Sequence, residues 1–181
     1  MQEASFCGPP VYLLGLMAVT LRGRHITIMV ILKKQVPGMD ESALTRFVAQ
    51  SKRSVRLTGT INVLVTNSRE LKRLNRQFLG KDRATDVLSF PTARIPANAI
   101  TGDIAIAADI AQQNARRLGH TSAEEIKILV LHGMLHLAGY DHERDDGKMA
   151  REEKRLRKSL RLPLGLIERN RQTGRRTATR P

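Results

Sequence analysis

The stretch that decides the fold and chemistry of this chain is LHGMLHLAGYDH, residues 131–142, which holds three of the five histidines. His132 and His136 are four residues apart, so on an α-helix both imidazoles lie on the same face. Gly139 can adopt a positive φ without steric cost, which allows the helix to end and the chain to turn back. His142 follows this turn and can bring a third ring nitrogen to the same point.

Three imidazoles that converge on one point are typical of a metal site. Three neutral histidines with one open coordination position are the arrangement that zinc has in catalytic sites, whereas structural zinc sites are closed by four protein ligands. Burying the rings unpaired among the leucines of the same helix would be costly, which favours a shared cation. We therefore predict that His132, His136 and His142 bind one Zn²⁺ per chain.

The histidine spacing equals that of the metzincin peptidase motif H-E-x-x-H-x-x-G-x-x-H, with one difference. Residue 133 is glycine, where those enzymes have the glutamate that serves as general base. Glycine has no proton acceptor, so the metal geometry is kept while the usual apparatus of peptide hydrolysis is missing. The sequence therefore favours a substrate other than a peptide. A zinc peptidase is the alternative.

Length and composition indicate one globular domain. A chain of 181 residues that is 41% hydrophobic can bury a substantial core. The single cysteine, Cys7, excludes an internal disulfide and fits a reducing compartment such as the cytoplasm. The apolar run at residues 11–19 is too short to span a bilayer, and its flanks do not fit a secretory signal. We expect a cytoplasmic protein that is not inserted in a membrane.

The formal net charge of +14 favours a polyanionic partner, for which nucleic acid is the default. Residues 151–181 hold eleven Lys and Arg and three Glu, a net charge of +8, and the other 150 residues carry +6. A tail that only aids solubility is the alternative. The chain has no Trp and only four Phe and two Tyr, so few side chains can stack on bases. Contacts to nucleic acid should therefore be mainly to phosphate.

Hydrophobic periodicity predicts four strands and about five helices. The strands are predicted at residues 25–32, 61–65, 87–90 and 102–107; the helices are predicted after Asp40, from Ser68, at 109–118, from a capping box of Ser122 with Glu125 through Leu137, and at about 146–160. This order indicates a single α+β domain with a small mixed sheet of about four strands. We expect a poorly ordered extension at residues 1–24, a zinc-dependent catalytic domain at 25–162 and a basic tail at 163–181.

Three stretches resemble the signature motifs of the YbeY endoribonucleases, also called rRNA maturation factors: HGMLHLAGYDH at 132–142, GKDRATDVLSFP at 80–91 and GDIAI at 102–106. The likeness covers roughly residues 26–162. The resemblance implies a zincin-like α+β fold, a zinc held by the three histidines and cleavage of single-stranded RNA. It also implies maturation of the 3′ end of small-subunit rRNA and ribosome quality control in the cytoplasm, with rRNA and pre-ribosomal or ribosomal particles as partners.

One position departs from the family pattern, because Leu79 stands where an arginine usually precedes Gly-Lys-Asp. That arginine is associated with function in the family, which a phosphate contact near the metal would explain. Lys81 or Arg83 is the predicted substitute cation for substrate binding, and solvated loop charges are the alternative. Asp141 is expected to accept hydrogen bonds beside the third ligand, with a role as general base as the other possibility.

A zinc ion with three histidine ligands lowers the pKa of its water to ~7 and polarises a phosphoryl oxygen. The bound hydroxide could take the proton of a 2′-hydroxyl or attack phosphorus, and the sequence leaves both open. No carboxylate cluster for paired Mg²⁺ ions is evident, which disfavours a two-metal nuclease. Asp86 and Asp103 are expected to orient the loop and strand near the site. A ribosome-binding protein with a structural, non-catalytic zinc remains the second alternative.

Overall fold

A computed structural model describes residues 28–91 and 102–163. Strands and helices follow the predicted order within these ranges. The strands are β1 (Ile28–Leu32), β2 (Ile61–Thr66), β3 (Val87–Pro91) and β4 (Gly102–Ala107); the helices are α1 (Glu41–Val55), α2 (Ser68–Leu79), α3 (Ala108–Leu118), α4 (Ser122–Leu137) and α5 (Lys148–Ser159). Each predicted element is present, with its ends moved by at most a few residues. Residues 25–27 of the first predicted strand lie outside the described ranges.

The four strands form one mixed sheet in the order β1-β2-β4-β3. Strands β1, β2 and β4 are parallel, and β3 pairs antiparallel with β4 at one edge. Gly102 at the start of β4 pairs with Ile61 on one side and with Pro91 on the other. The predicted α+β class with a small mixed sheet is therefore confirmed.

Helices cover both faces of the sheet. Successive side chains of a strand point to opposite faces, so alternate residues of β4 show which helices lie on each face. Ile104 and Ile106 of β4 share a core with residues of α1 and α4. Ala105 and Ala107, the alternate residues, pack in a second core with residues of α2. Helices α1 and α4 thus lie on one face and α2 lies on the other.

The ends of the helices follow local hydrogen bonding. Asp40 caps α1 as predicted, because its side chain accepts a hydrogen bond from the Ala43 amide at 2.6 Å. The capping box of α4 was predicted one residue too late: it joins Thr121 and Glu124 instead of Ser122 and Glu125. The physical reason is that the Glu125 carboxylate is buried and lies 2.8 Å from Nε2 of His120, which leaves Glu124 to return to the Thr121 amide.

Two of the predicted segments lie outside the described part of the chain. The extension at residues 1–24 is entirely outside it, and the basic tail at 163–181 is outside it apart from Pro163, so both stay predictions. Within residues 28–91 and 102–163, no helix is long and apolar enough to cross a membrane.

Candidate metal centre

Helix α4 carries the candidate site on a rigid, buried platform. Twelve of its sixteen residues are buried, so its position is fixed on almost every side by packing. The helix ends in a Schellman motif, in which the Gly139 amide donates to the His136 carbonyl at 2.9 Å and the Tyr140 amide donates to the Leu135 carbonyl at 3.1 Å. Gly139 has a φ of 90°, as its predicted role in the turn requires.

The turn brings the three predicted histidines together. The ring centroids of His132 and His136 are 4.7 Å apart, and those rings lie 5.5 and 5.3 Å from the ring of His142. One potential ligand atom from each residue lies within 4.8 Å of the others, so the group could hold a metal ion. His132 is buried, His136 is half-buried and His142 is exposed. The point between the rings is therefore open to solvent on one side, as a reaction centre requires.

Hydrogen bonds fix the orientation of the two helical imidazoles. Nδ1 of His132 lies 2.9 Å from Oε1 of Glu153, and Nδ1 of His136 lies 3.1 Å from the Tyr140 carbonyl oxygen. A carbonyl and a carboxylate accept hydrogen bonds, so each Nδ1 carries the proton and each Nε2 carries a lone pair. The two Nε2 atoms are 3.1 Å apart. With both nitrogens unprotonated, the two rings offer their lone pairs to the same point, and this donor set fits a metal ion.

The protonation state of His136 also suits a ligand. The pKa of His136 is lowered to about 4, chiefly by burial and then by the neighbouring His132 and His142, while the Tyr140 carbonyl and Asp141 raise it by less. The ring is therefore neutral at pH 7, and a neutral imidazole is the form that binds a metal.

Gly133 occupies the position of the missing peptidase glutamate, where the fold leaves little space. A Cβ atom at this residue would lie 2.9 Å from Oγ of Ser89 and 3.0 Å from Cγ2 of Ile104. The helix thus approaches the side chains of β3 and β4 closely at this point. A larger residue here would have to displace the side chain of Ser89 or Ile104.

Glu153 is the site residue that the sequence analysis missed. It lies on α5, 21 residues from His132, and its side chain is 1% exposed. Met149, Glu153 and Leu156 are spaced four and three residues apart, and all three are buried. An acidic residue on the apolar stripe of a charged helix is the signal that could have identified it.

The other predicted site residues make their hydrogen bonds and ion pairs, where the structure shows any, with groups other than the three histidines. Asp141 uses Oδ1 to accept a hydrogen bond from the Glu143 amide at 3.0 Å, so its carboxylate caps the turn that carries His142. Lys81 and Arg83 have exposed side chains on the loop between α2 and β3. Among the described residues, no hydrogen bond or ion pair joins either of them to the histidines. Their binding to substrate, and a catalytic role of Asp141, stay predictions.

Asp86 and Asp103 make hydrogen bonds within their own loop and strand, and their expected role in orienting the site stays a prediction. Asp86 caps β3, because its Oδ1 accepts a hydrogen bond from the Val87 amide at 2.9 Å. Asp103 is buried and its Oδ1 accepts from Nδ2 of Asn62 at 2.7 Å. Burial raises the pKa of Asp103, and the hydrogen bond from Asn62 only partly offsets this. Since Ile104 faces α4, Asp103 points to the other face of the sheet, away from the histidines.

Fold and site define a class of protein: a single α+β domain in which a buried helix and the turn after it present three imidazoles around a point that fits a metal ion. Comparison with known proteins gives the family. Residues 31–161 match the family described as Endoribonuclease YbeY. The endoribonuclease YbeY of Koribacter versatilis is 49% identical over 152 residues, which are 84% of this chain and 98% of that protein.

One further relative and one solved structure are also similar to this chain. The endoribonuclease YbeY of Solibacter usitatus is 50% identical over 127 residues, which are 70% of this chain and 84% of that protein. The solution structure of TM1509 from Thermotoga maritima is 32% identical, covers 71% of this chain and 85% of that one, and has a TM-score of 0.47. From the family match and the two sequence relatives, this chain belongs to the endoribonuclease YbeY family.

Proposed function

We propose that this protein is a zinc-dependent endoribonuclease that cleaves single-stranded RNA in the cytoplasm. Its substrate is the 3′ end of small-subunit rRNA in pre-ribosomal or ribosomal particles, and the same activity serves ribosome quality control. Membership in the endoribonuclease YbeY family supports RNA cleavage and a role in rRNA processing. The observation that carries the proposal is the pair of Nε2 lone pairs 3.1 Å apart on His132 and His136, with His142 beside them.

His132, His136 and His142 are the residues that would hold the zinc ion. When bound, zinc supplies an acidified water and a Lewis acid for a phosphoryl oxygen. Glu153 and the Tyr140 carbonyl hold two of the rings in the tautomer that leaves Nε2 free for the metal. The exposed position of His142 leaves a path for a flexible single strand to reach the centre.

Cations of the chain supply the affinity for RNA. Lys81 and Arg83 on the loop between α2 and β3 would bind phosphates of the substrate, in place of the arginine for which this chain has Leu79. The basic tail at 163–181 would add contacts to phosphate that do not depend on sequence. The catalytic domain of this proposal spans residues 25–162.

The two alternatives have less support. A zinc peptidase of the metzincin type has its general base at the position of residue 133, where this chain has glycine and a larger residue would crowd the side chains of Ser89 and Ile104. A structural zinc would be enclosed by four protein ligands, whereas within residues 28–91 and 102–163 the group around this point consists of three histidines, of which one is exposed.

The experiment is a cleavage assay on the full chain with measured metal content. We expect about one zinc per chain by elemental analysis, cleavage of an unstructured fragment from the 3′ end of small-subunit rRNA, and no cleavage after chelation. His136→Ala should abolish cleavage and zinc binding while circular dichroism shows the fold largely kept. His120→Gln changes a histidine outside the site and keeps a hydrogen-bond donor for the buried Glu125, so it is the matched control and should keep both. Intact RNA together with chelator-sensitive digestion of a denatured protein would instead identify a peptidase.

A further inference from the structure

A cavity of about 480 Å³ lies at the end of the sheet opposite the histidines. Its lining comes from the segments that follow the three parallel strands: residues 34–37 after β1, residues 67–69 after β2, and the first turns of α3 after β4. Ser122 at the start of α4 completes it. None of the residues proposed above to bind metal or substrate lines this cavity.

The cavity lies where the topology of the sheet opens a crevice. Strands β1 and β2 are parallel neighbours, yet α1 after β1 covers one face of the sheet and α2 after β2 covers the other. The two connections therefore diverge beyond the carboxyl ends of the strands. Open sheets with parallel strands bind ligands at such a switch point. A volume of this size is also within the range of small-molecule sites.

The lining combines three kinds of chemistry. Lys34 and Arg69 are exposed cations, and no ion pair within the described ranges involves either of them. Val36, Pro37 and Ala108 provide apolar surface. The Asp109 carboxylate and the Gln112 amide provide groups that can form hydrogen bonds.

Asp109 is held in place by the neighbouring helix. Its Oδ1 accepts a hydrogen bond from the Ser68 amide at 2.9 Å, and its Oδ2 accepts one from Oγ of Ser68 at 2.5 Å. Burial raises the pKa of this carboxylate, but the hydrogen bonds from Ser68 and from the backbone amides of Asp109 and Ile110 together lower it by more, so a ribose hydroxyl would share its oxygens with these groups. A carboxylate at the carboxyl end of a parallel strand is the group that binds ribose hydroxyls in dinucleotide-binding folds.

We propose that this cavity binds one nucleotide, with its phosphate at Lys34 and Arg69, its ribose hydroxyls at Asp109 and its base against Val36 and Pro37. The same chemistry comes from two sources, a free nucleoside monophosphate or one nucleotide of an RNA strand. The inference goes beyond the nuclease activity and does not depend on it. Ser122 and His136 are fourteen residues apart on one helix, about 21 Å along its axis, so a nucleotide in the cavity is remote from the histidines.

The test is calorimetric titration of the full chain with adenosine 5′-monophosphate and with inorganic phosphate. The third ligand is an unmodified single-stranded oligoribonucleotide, which keeps its 2′-hydroxyls and is titrated into the His136→Ala variant, where no cleavage is expected. The variant K34Q/R69Q removes the two cations of the cavity. The matched control K72Q/R76Q also removes two positive charges, from residues of α2 that lie near Asp82 and do not line the cavity. We expect one monophosphate per chain, about tenfold weaker binding in K34Q/R69Q and less than about twofold weakening in the control.

A cavity-filling variant gives a second measurement. Gln112→Trp should abolish monophosphate binding in a chain whose thermal unfolding remains cooperative. Binding of the monophosphate itself, lost in K34Q/R69Q, assigns a free nucleotide; binding of the oligonucleotide alone, lost in the same variant, assigns a nucleotide of the RNA strand. The proposal is overturned if neither ligand saturates the chain, if both charge variants weaken binding equally, or if inorganic phosphate binds as tightly as the monophosphate.

Discussion

Nδ1 of His132 lies 2.9 Å from Oε1 of Glu153, so a buried carboxylate on α5 fixes the ring that α4 directs to the metal point. This contact joins two helices that are separated in sequence by a turn containing the third histidine. The position of α5 and the geometry of the candidate metal centre are therefore coupled, and a change at either affects the other.

Glu153→Ala should weaken zinc binding about 10- to 100-fold, because His132 loses the acceptor that fixes its tautomer and orientation. It should also lower the free energy of unfolding by about 1–3 kcal/mol, since Nδ1 of His132 loses a buried partner. Glu153→Gln keeps an acceptor oxygen and should lose less of both. Competition with a chelating dye and urea unfolding measure the two quantities.

The adjacent acidic residue offers a control for Glu153. Glu152 pairs with Arg155 at the surface of α5 and does not contact the histidines, so Glu152→Gln should leave zinc affinity unchanged. If Glu153→Ala binds zinc as tightly as the unchanged chain, the Glu153 carboxylate has no part in the metal centre.

Gly133→Glu should not create a peptidase, although it completes the metzincin motif. The new side chain would collide with Ser89 and Ile104, and overpacking of this kind lowers the free energy of unfolding by about 1–3 kcal/mol. Urea unfolding and a protease assay with and without chelator test both statements. A stable variant with chelator-sensitive proteolysis would contradict them.

The same contact predicts a coupling between Gly133 and Ser89. The closest atom to an added Cβ is Oγ of Ser89 at 2.9 Å, so removing this hydroxyl relieves the collision. In a double-mutant cycle, the destabilisation caused by Gly133→Ala should be smaller in a Ser89→Ala background than in the unchanged chain. Additive free energies of unfolding would place the strain elsewhere.

Metal-stripped protein should lose stability on acidification from about pH 6.5 to about pH 4. Burial and the neighbouring rings lower the pKa of His136 from 6.5 to about 4 in the folded chain. Between these values the unfolded chain binds a proton at this residue and the folded chain does not, so lower pH favours unfolding. Above pH 6.5 both states are neutral at this position and the contribution is constant.

Thermal unfolding of the metal-stripped chain between pH 7.5 and 4 measures this loss. His136→Ala removes the titrating ring and should show a shallower decline over the same window. An identical decline in the unchanged chain and the variant would assign the pH dependence to other groups.

Local sequence determined the parts of this protein that could be predicted. The spacing of His132 and His136 and the freedom of Gly139 depend on helix geometry within a single turn, so the convergence with His142 followed directly. Glu153 could not be assigned to the site, because its contact with His132 depends on how α5 packs against α4. The capping box was misplaced because Thr121 with Glu124 and Ser122 with Glu125 have the same spacing, and only the buried contact of Glu125 with His120 decides between them.

The order of strands shows the same limit. Each strand was identifiable from its own residues, but the insertion of β4 between β2 and β3 depends on pairings such as Ile61 with Gly102, which lie far apart in the chain. The crowding of a side chain at residue 133 is likewise a consequence of how closely α4 approaches the sheet. The sequence identified the missing base, and the packing shows that a larger residue there would crowd Ser89 and Ile104.

Deletion of residues 163–181 should make RNA binding less dependent on salt. The segment contains five Arg and one Glu, and each phosphate contact on a single strand contributes about 0.7 to the slope of log K against log salt. The slope should therefore flatten by at most about 3.5, measured by fluorescence anisotropy with an uncleavable oligonucleotide. Replacing the five arginines by lysine preserves charge and should keep the slope. An unchanged slope after deletion would mean that the tail does not contact RNA and that the charges of the folded domain bind it alone.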